Sequence, residues 1–410
     1  MSLDMHINGN IPSREDIIKR AESLIPIFKD RALEAEQDRK LPKKNIDDLF
    51  NSGLMRIYQP KRYGGYSMGW ATHADAARVI ARGCPSSAWI VSVVGAHAAI
   101  AGRMSLECQD EIWGSNQNQV IVTASAQISS CAVKTKGGYN LSGTWRFASG
   151  VDHSEWSIVH SHIDGNDPGD HSKYIRLLVP TSELEIIDTW HVIGMRGTGS
   201  KDIKCDNLFV PEYRTINAHA TFDRNPPGAS INPESYLYEM PFLPYFGSSF
   251  LGPLIGASEG AYEAYKNLTS DRKGAIFGNS IKDQVPVQHR LAESSAEIDA
   301  AVLIYNNINR VLHEKGLNKQ SLSAREVAKI TRDRAFIAKL CVSSVNRLFG
   351  HMGAVGLYDT NPVHRFYRDV NAMASQFGAN WDRNMSIFGK FEFGLPTGDK
   401  VIDEVLKKNQ

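Results

Sequence analysis

Apolar residues recur at helical spacing through the first third of the chain, at strand spacing in the middle, and at helical spacing again to the end. Ile17, Ile18, Ala21, Leu24, Ile25, Phe28 and Leu33 predict one helix over 13–38. Pro42 opens a second, carrying Ile46, Leu49 and Phe50, which Gly53 stops. Residues 70–83 and 86–104 read as two apolar helices, with Pro85 at the start of the second. From Val120 the period shortens: 120–125, 131–135, 139–150, 156–160, 174–179 and 203–211 read as strands, with Gly137-Gly138 as a hairpin turn. The polar stretch 164–171 reads as an exposed loop, and 225–233, rich in Pro and Asn, as a bridge. Helical spacing then returns over 250–268, 288–315, 323–348 and 366–390.

The pattern divides the chain into a helical part (1–118), an antiparallel barrel or sandwich (119–224) and a four-helix bundle (225–410), an α+β protein. The bundle helices are apolar over more than one side, so the bundle is expected to pack against other subunits as well.

Composition narrows the classes. A net charge of +1 over 410 residues argues against a nucleic-acid partner. Five scattered cysteines without a C-x-x-C pair fit a reducing cytosol better than a disulfide framework or zinc site. The most apolar stretch, 90–100, is too short to span a bilayer, so no membrane partner is expected. His153, His160, His162 and His171 have irregular spacing and no accompanying carboxylates, which reads as strand or surface histidines rather than a metal site.

Candidate chemistry concentrates in 190–202, Trp-His-Val-Ile-Gly-Met-Arg-Gly-Thr-Gly-Ser-Lys-Asp. Its glycines and hydroxyls allow the backbone to approach a ligand closely; a tight hairpin is the alternative reading. This segment resembles the signature of the acyl-CoA dehydrogenase fold, in its branch of two-component flavin-dependent aromatic monooxygenases. Gly53-Leu54-Met55-Arg56-Ile57-Tyr58-Gln59-Pro60 with Arg62-Tyr63-Gly64-Gly65, and Pro362-Val363-His364-Arg365-Phe366-Tyr367-Arg368-Asp369, carry the same likeness near the two ends. So does 262–300, with Phe277-Gly278. Cys84-Pro85-Ser86-Ser87-Ala88-Trp89 and Asn380-Trp381-Asp382 resemble the oxygenase branch in particular.

The resemblance implies a helical domain, a central β barrel and a four-helix bundle, assembled as a homotetramer. It implies FMN or FAD supplied reduced by a separate flavin reductase. Molecular oxygen would then be carried as a flavin C4a-hydroperoxide to a small aromatic or indole-like substrate. Thr123, Ala124 and Ser125, with Phe147, Ala148 and Ser149, match the two segments that embrace the flavin ring, and Ser149 is the candidate hydroxyl for its N5. Met195, Gly197, Thr198 and Ser200 would form a wall, Arg272 would meet a phosphate or substrate anion, and Trp89 and Trp381 would complete the pocket. Trp145 and Phe377 would help keep it dry.

Trp89 and His97 stand eight residues apart on related helical faces, which in phenol-hydroxylating relatives face flavin and substrate; a satisfied core histidine is the alternative for His97. Those relatives carry a histidine where this chain has Gln376, and glutamine accepts no proton near neutral pH. Catalytic roles therefore fall to His97, Ser149 and Gln376, with a neutral electron-rich ring such as indole as the expected substrate. Three other readings remain: an acyl-CoA dehydrogenase using Glu259 or Glu263 as base, an oxygenase that N-hydroxylates an amine, and a structural relative that binds no flavin.

Overall fold

The computed structural model describes residues 11–167, 173–218, 224–274, 278–399, 402–403 and 406. Half of the loop expected at 164–171, His171 included, and Phe277 lie outside them.

The first helix is two. α1 (Arg14–Asp30) starts at a Ser13/Asp16 capping box, and α2 (Ala32–Asp38) follows after Arg31. The Arg31 guanidinium is drawn to Asn45 (3.1 Å) and Asp48 (2.7 Å) of α3 (Lys43–Asn51), while Ala32 and Ala35 stay buried, so the apolar period continues through the break.

α4 (Trp70–Ala81) is as expected, but its successor is not one α-helix. α5 (Pro85–Trp89) passes into a π-turn over Ile90–Val94 before α6 (His97–Ala101). The cause is His73, whose ring Nε2 lies 2.7 Å from the Val91 carbonyl and takes it from the helical ladder; Gly95 N–H then donates to Ile90 instead, at 3.0 Å. Burial pushes His73 down to about 4, so it is a neutral donor at ordinary pH. Simple face-counting from Trp89 to His97 therefore fails, yet both side chains still reach the strand layer. α7 (Leu106–Trp113) ends this part.

The strands are β1 (Ile121–Ala124), β2 (Ala126–Thr135), β3 (Gly138–Ala148), β4 (Trp156–Ser161), β5 (Ile175–Pro180), β6 (Glu185–Ile187), β7 (Lys201–Pro211) and β8 (Thr215–Asn217). Two four-stranded sheets, β1-β4-β5-β8 and β2-β3-β7-β6, form the part expected as an antiparallel barrel or sandwich, and among the described residues they are not closed into a barrel. The sheets are also not wholly antiparallel. The chain passes from β1 straight into β2 of the other sheet, and β1 runs parallel to β4. The β2–β3 hairpin forms as read, with Gly137 at φ 83°. Trp145 is fully buried, its indole N–H donating to the His160 carbonyl at 2.8 Å; it is core, not a pocket wall.

The bridge holds a short helix, α8 (Pro227–Ile231), followed by α9 (Leu243–Phe246). The bundle is built from α10 (Leu251–Ser270), α11 (Val285–Leu317), α12 (Ala324–Phe349), α13 (Pro362–Ala374) and α14 (Trp381–Glu392). The helix expected over 366–390 is thus broken. Gln376 caps the turn by accepting from Gly378 N–H (2.5 Å), and Asn380 caps α14 through Arg383 N–H (2.9 Å). One continuous core runs from Ile17 to Ala379, joining both helical parts to the sheets. Among the described residues no helix is long and apolar enough to cross a membrane.

Candidate active site

The glycine-rich loop between β6 and β7 is fastened on three sides. Met195 sits in the left-handed region (φ 56°), and its N–H donates to Asp369 Oδ1 of α13 at 2.6 Å. A Cβ on Gly194 would meet the Arg368 carbonyl oxygen at 2.2 Å, so only glycine lets the loop lie on α13. Arg368 donates to the Ile193 carbonyl (2.9 Å) and pairs with Glu36 of α2. Gly197 is wedged against Ala35 and Ser86, from α2 and α5. Burial raises the Asp369 carboxyl to about 6, opposed by the Met195 N–H bond.

A chain of hydroxyls starts from this loop. The Met195 carbonyl accepts from the Trp190 indole N–H (3.1 Å), the Thr198 N–H (3.1 Å) and the Thr198 hydroxyl (2.8 Å). Thr198 and Ser200 hydroxyls lie 2.7 Å apart, as do those of Ser200 and Ser149. The Trp89 indole N–H donates to Ser149 at 3.2 Å. Just before Ser149, Phe147 is held at φ 65°, where a bulky side chain is strained by roughly 1–3 kcal/mol. The register shift of β3 against β7 between Trp145 and Ala148 forces this turn. Phe147 is left 56% exposed, packed edge-on to Trp190 at 6.3 Å, while Ala148 is buried.

His97 is closed off. Its Nδ1–H donates to the Ile121 carbonyl (2.8 Å), and its Nε2 accepts from the Thr123 hydroxyl (2.9 Å). Burial takes its pKa down to about 3, so the ring stays neutral. It packs near Phe246 at 5.8 Å. From the other side, Gly378 in the turn capped by Gln376 lies against Phe250 and the Gly247 carbonyl. The 246–250 segment therefore borders both His97 and the Gln376 turn. Ser125 is exposed, with Arg176 3.4 Å away, and the adjoining Ala124 is buried.

Residues 21–110 match the acyl-CoA dehydrogenase N-terminal domain model, and 249–381 match the acyl-CoA dehydrogenase C-terminal domain model. The chain is 32% identical to the flavin-dependent monooxygenase oxygenase subunit HsaA of Mycobacterium tuberculosis, over 95% of its own length and 98% of the relative's. It therefore belongs to the flavin-dependent monooxygenase branch of the acyl-CoA dehydrogenase family. It is also 30% identical to the oxygenase component of p-hydroxyphenylacetate 3-hydroxylase of Acinetobacter baumannii, over 92% of this chain and 89% of that one. Among solved structures, XiaF from Streptomyces sp. in complex with FADH2 and glycerol is similar at TM-score 0.87 and 26% identity, covering 94% of this chain and 97% of that one.

In this monooxygenase-family chain, Trp89, Ser149, Met195, Thr198 and Ser200 form one connected network, with Phe147 and Gly197 at its edges and the His97–Thr123 pair nearby. Two expected residues stand apart. Arg272, beyond the end of α10, points its guanidinium toward Gly353. Trp381, at the start of α14, lies under the Lys339 ammonium (4.3 Å). Phe377 is exposed beneath the Arg383 guanidinium (4.4 Å). Glu259 and Glu263 are tied in ion pairs to Arg78 and Arg82, so neither is a free base. Arg368-Asp369 is legible in the sequence as a motif but not as the loop's anchor; the spacing of a buried carboxylate from a glycine-rich loop 174 residues away leaves no local signal.

Proposed function

We propose that the chain is the oxygenase component of a two-component system. It takes reduced FMN or FAD from a separate reductase and hydroxylates a small aromatic or indole-like substrate with molecular oxygen, in a reducing cytosol. The observation that carries this reading is the network from half-buried Trp89 through the buried Ser149, Ser200 and Thr198, opening beside the exposed Phe147. A planar apolar edge next to oriented polar groups fits a flavin ring, and the similarity to a chain in complex with FADH2 supports the same group. Bound reduced flavin supplies the electrons and the site of oxygen activation. Ser149 would hold the ring's polar edge, Thr123 and the neutral His97 its wall, and Phe147, Trp190 and Trp89 would exclude water. The limits 1–118, 119–224 and 225–410 fit this division of labour, with the flavin where the layers meet.

The test is anaerobic titration with reduced FMN and reduced FAD, followed by mixing with isotopically labelled oxygen and an aromatic substrate. Saturable binding and one labelled oxygen atom in the product are expected; reduction of an acyl-CoA-treated, oxidised flavin would support the dehydrogenase instead.

Ser149→Ala is expected to leave the fold intact and to divert oxygen to hydrogen peroxide by roughly tenfold or more, the effect of losing a buried hydrogen bond of about 1–3 kcal/mol. The ratio of product to oxygen consumed measures it.

A homotetramer is part of the proposal. Leu303 (71% exposed) and Leu317 on α11, Phe336 on α12 and Phe393 after α14 leave apolar surface on the bundle. Light scattering should give four times the chain mass at micromolar concentration; a stable monomer would remove the claim.

A further inference from the structure

The hydroxyl chain has only one consistent direction. A carbonyl has no proton to give, so Thr198 must donate to Met195. With that proton committed, the short Thr198–Ser200 contact requires Ser200 to donate to Thr198. By the same logic Ser149 must donate to Ser200. The Trp89 N–H then fills one acceptor position of Ser149. What Ser149 has left for a ligand is a single lone pair. It faces the site as an acceptor and not as a donor.

The starting point of this polarity is the Met195 carbonyl, and Met195 stands in a backbone conformation that a side-chain-bearing residue adopts reluctantly. Its N–H is held by Asp369, a residue only 4% exposed whose surroundings are Glu36 from α2, Arg365 and Arg368 from its own helix, and Cys84 at the start of α5. We propose that Asp369 is a positioning residue for flavin selection: by holding Met195 it fixes the direction of the hydroxyl chain, so that Ser149 accepts from, and cannot donate to, the bound ring. This rests on the flavin reading given above. A reduced flavin carries a ring N–H where the oxidised form has a bare nitrogen lone pair. An acceptor-only serine pairs with the first and opposes the second. If Met195 turned away, the Thr198 proton would be released and the chain could reverse. Ser149 would then donate to an oxidised ring as readily as it accepts from a reduced one. Selectivity, rather than binding itself, is what Asp369 sets.

The experiment measures dissociation constants for reduced FMN under anaerobic conditions and for oxidised FMN. It compares wild type, Asp369→Ala, Ser149→Ala and the double variant. Wild type is expected to favour the reduced form, and each single variant to lower that preference by about tenfold. The double variant is expected to fall no further than either single one, because both act on one chain. Asp369→Asn, which keeps an oxygen for the Met195 N–H, should restore most of the preference, whereas Asp369→Leu, which fills the same space with no acceptor, should fall as far as Asp369→Ala; a mere packing role would let both restore it. Thr198→Val tests the same chain without disturbing α13 and should lower the preference equally. Additive losses in the double variant, or an unchanged ratio in Thr198→Val, would overturn the proposal. Wild type binding neither form would defeat the flavin reading itself, and this inference with it.

Discussion

Gly194→Ala should cost this protein both stability and flavin affinity. The added methyl would lie 2.2 Å from the Arg368 carbonyl oxygen, 2.5 Å from its carbon and 3.0 Å from the Asp369 nitrogen. These are backbone atoms of α13, which cannot rotate away as a side chain would. The loop must lift instead, stretching the Met195–Asp369 and Arg368–Ile193 hydrogen bonds together. Overpacking of this kind typically costs about 1–3 kcal/mol. The loss at the site is larger, because lifting Met195 removes the carbonyl on which Trp190 and Thr198 converge. We expect affinity for reduced flavin to fall by about a hundredfold, equivalent to two buried hydrogen bonds. Gly389→Ala on α14 is the control: its methyl would meet nothing, and replacing a mid-helix glycine stabilises by about 0.5–1 kcal/mol. Thermal unfolding and anaerobic titration of the two variants separate the effects. An unaltered affinity in Gly194→Ala would show that the loop's seat on α13 does not shape the site.

Periodicity made the helix–strand–helix order legible because burial repeats with the element's own period. It failed where one side chain reaches across to another element's backbone. His73 diverts the Val91 carbonyl and slackens the turn between Trp89 and His97, and nothing in the local spacing of 86–104 records that. Arg31 ends α1 through Asn45 and Asp48 while the buried alanines keep their spacing, so two helices read as one. The break after Ala374 was written locally, in Gln376, Gly378 and Asn380, but apolar residues on either side masked it. The sheet order shows the same limit. Alternation marks strands and says little about pairing, so a parallel β1–β4 pair and two open sheets were not visible in it. At the candidate site, Trp89, Ser149, Thr198 and Ser200 are brought together by the hydrogen-bonding groups of their side chains, and Met195 joins them through its backbone alone. Arg272 and Trp381 were reached through resemblance alone, and in the folded chain they are engaged with Gly353 and Lys339.

Placing a histidine at 376 should convert the pocket from one suited to neutral rings into one that handles phenols. Two positions were candidates for a base, and neither provides one. His97 is buried, both ring nitrogens are occupied by Ile121 and Thr123, and its pKa of about 3 leaves it neutral and weakly basic throughout the working range. Gln376 is half-buried, and its carbonyl oxygen caps Gly378, leaving its amide N–H groups and one carbonyl lone pair for a ligand, none of which takes up a proton near neutral pH. The wild-type rate of oxygen transfer to indole should therefore show no dependence on a histidine base between about pH 6 and 9, since neither His97 nor Gln376 takes up a proton there. A phenol must be deprotonated to become comparably electron-rich, and a positioned base is worth roughly 10²–10⁴-fold in such a step. Gln376→His is expected to raise phenol hydroxylation by about a hundredfold and leave indole nearly unchanged. The sign of its pH dependence is fixed: only the neutral imidazole takes the proton, so the rate rises with pH through about 6.5. His97→Gln should leave the pH profile as it was. Single-turnover oxygen transfer to indole and to a simple phenol, across that range, measures all three. A wild-type phenol rate that already rises through about 6.5, and loses that rise in His97→Gln, would make His97 the base in spite of its burial and end the neutral-ring expectation.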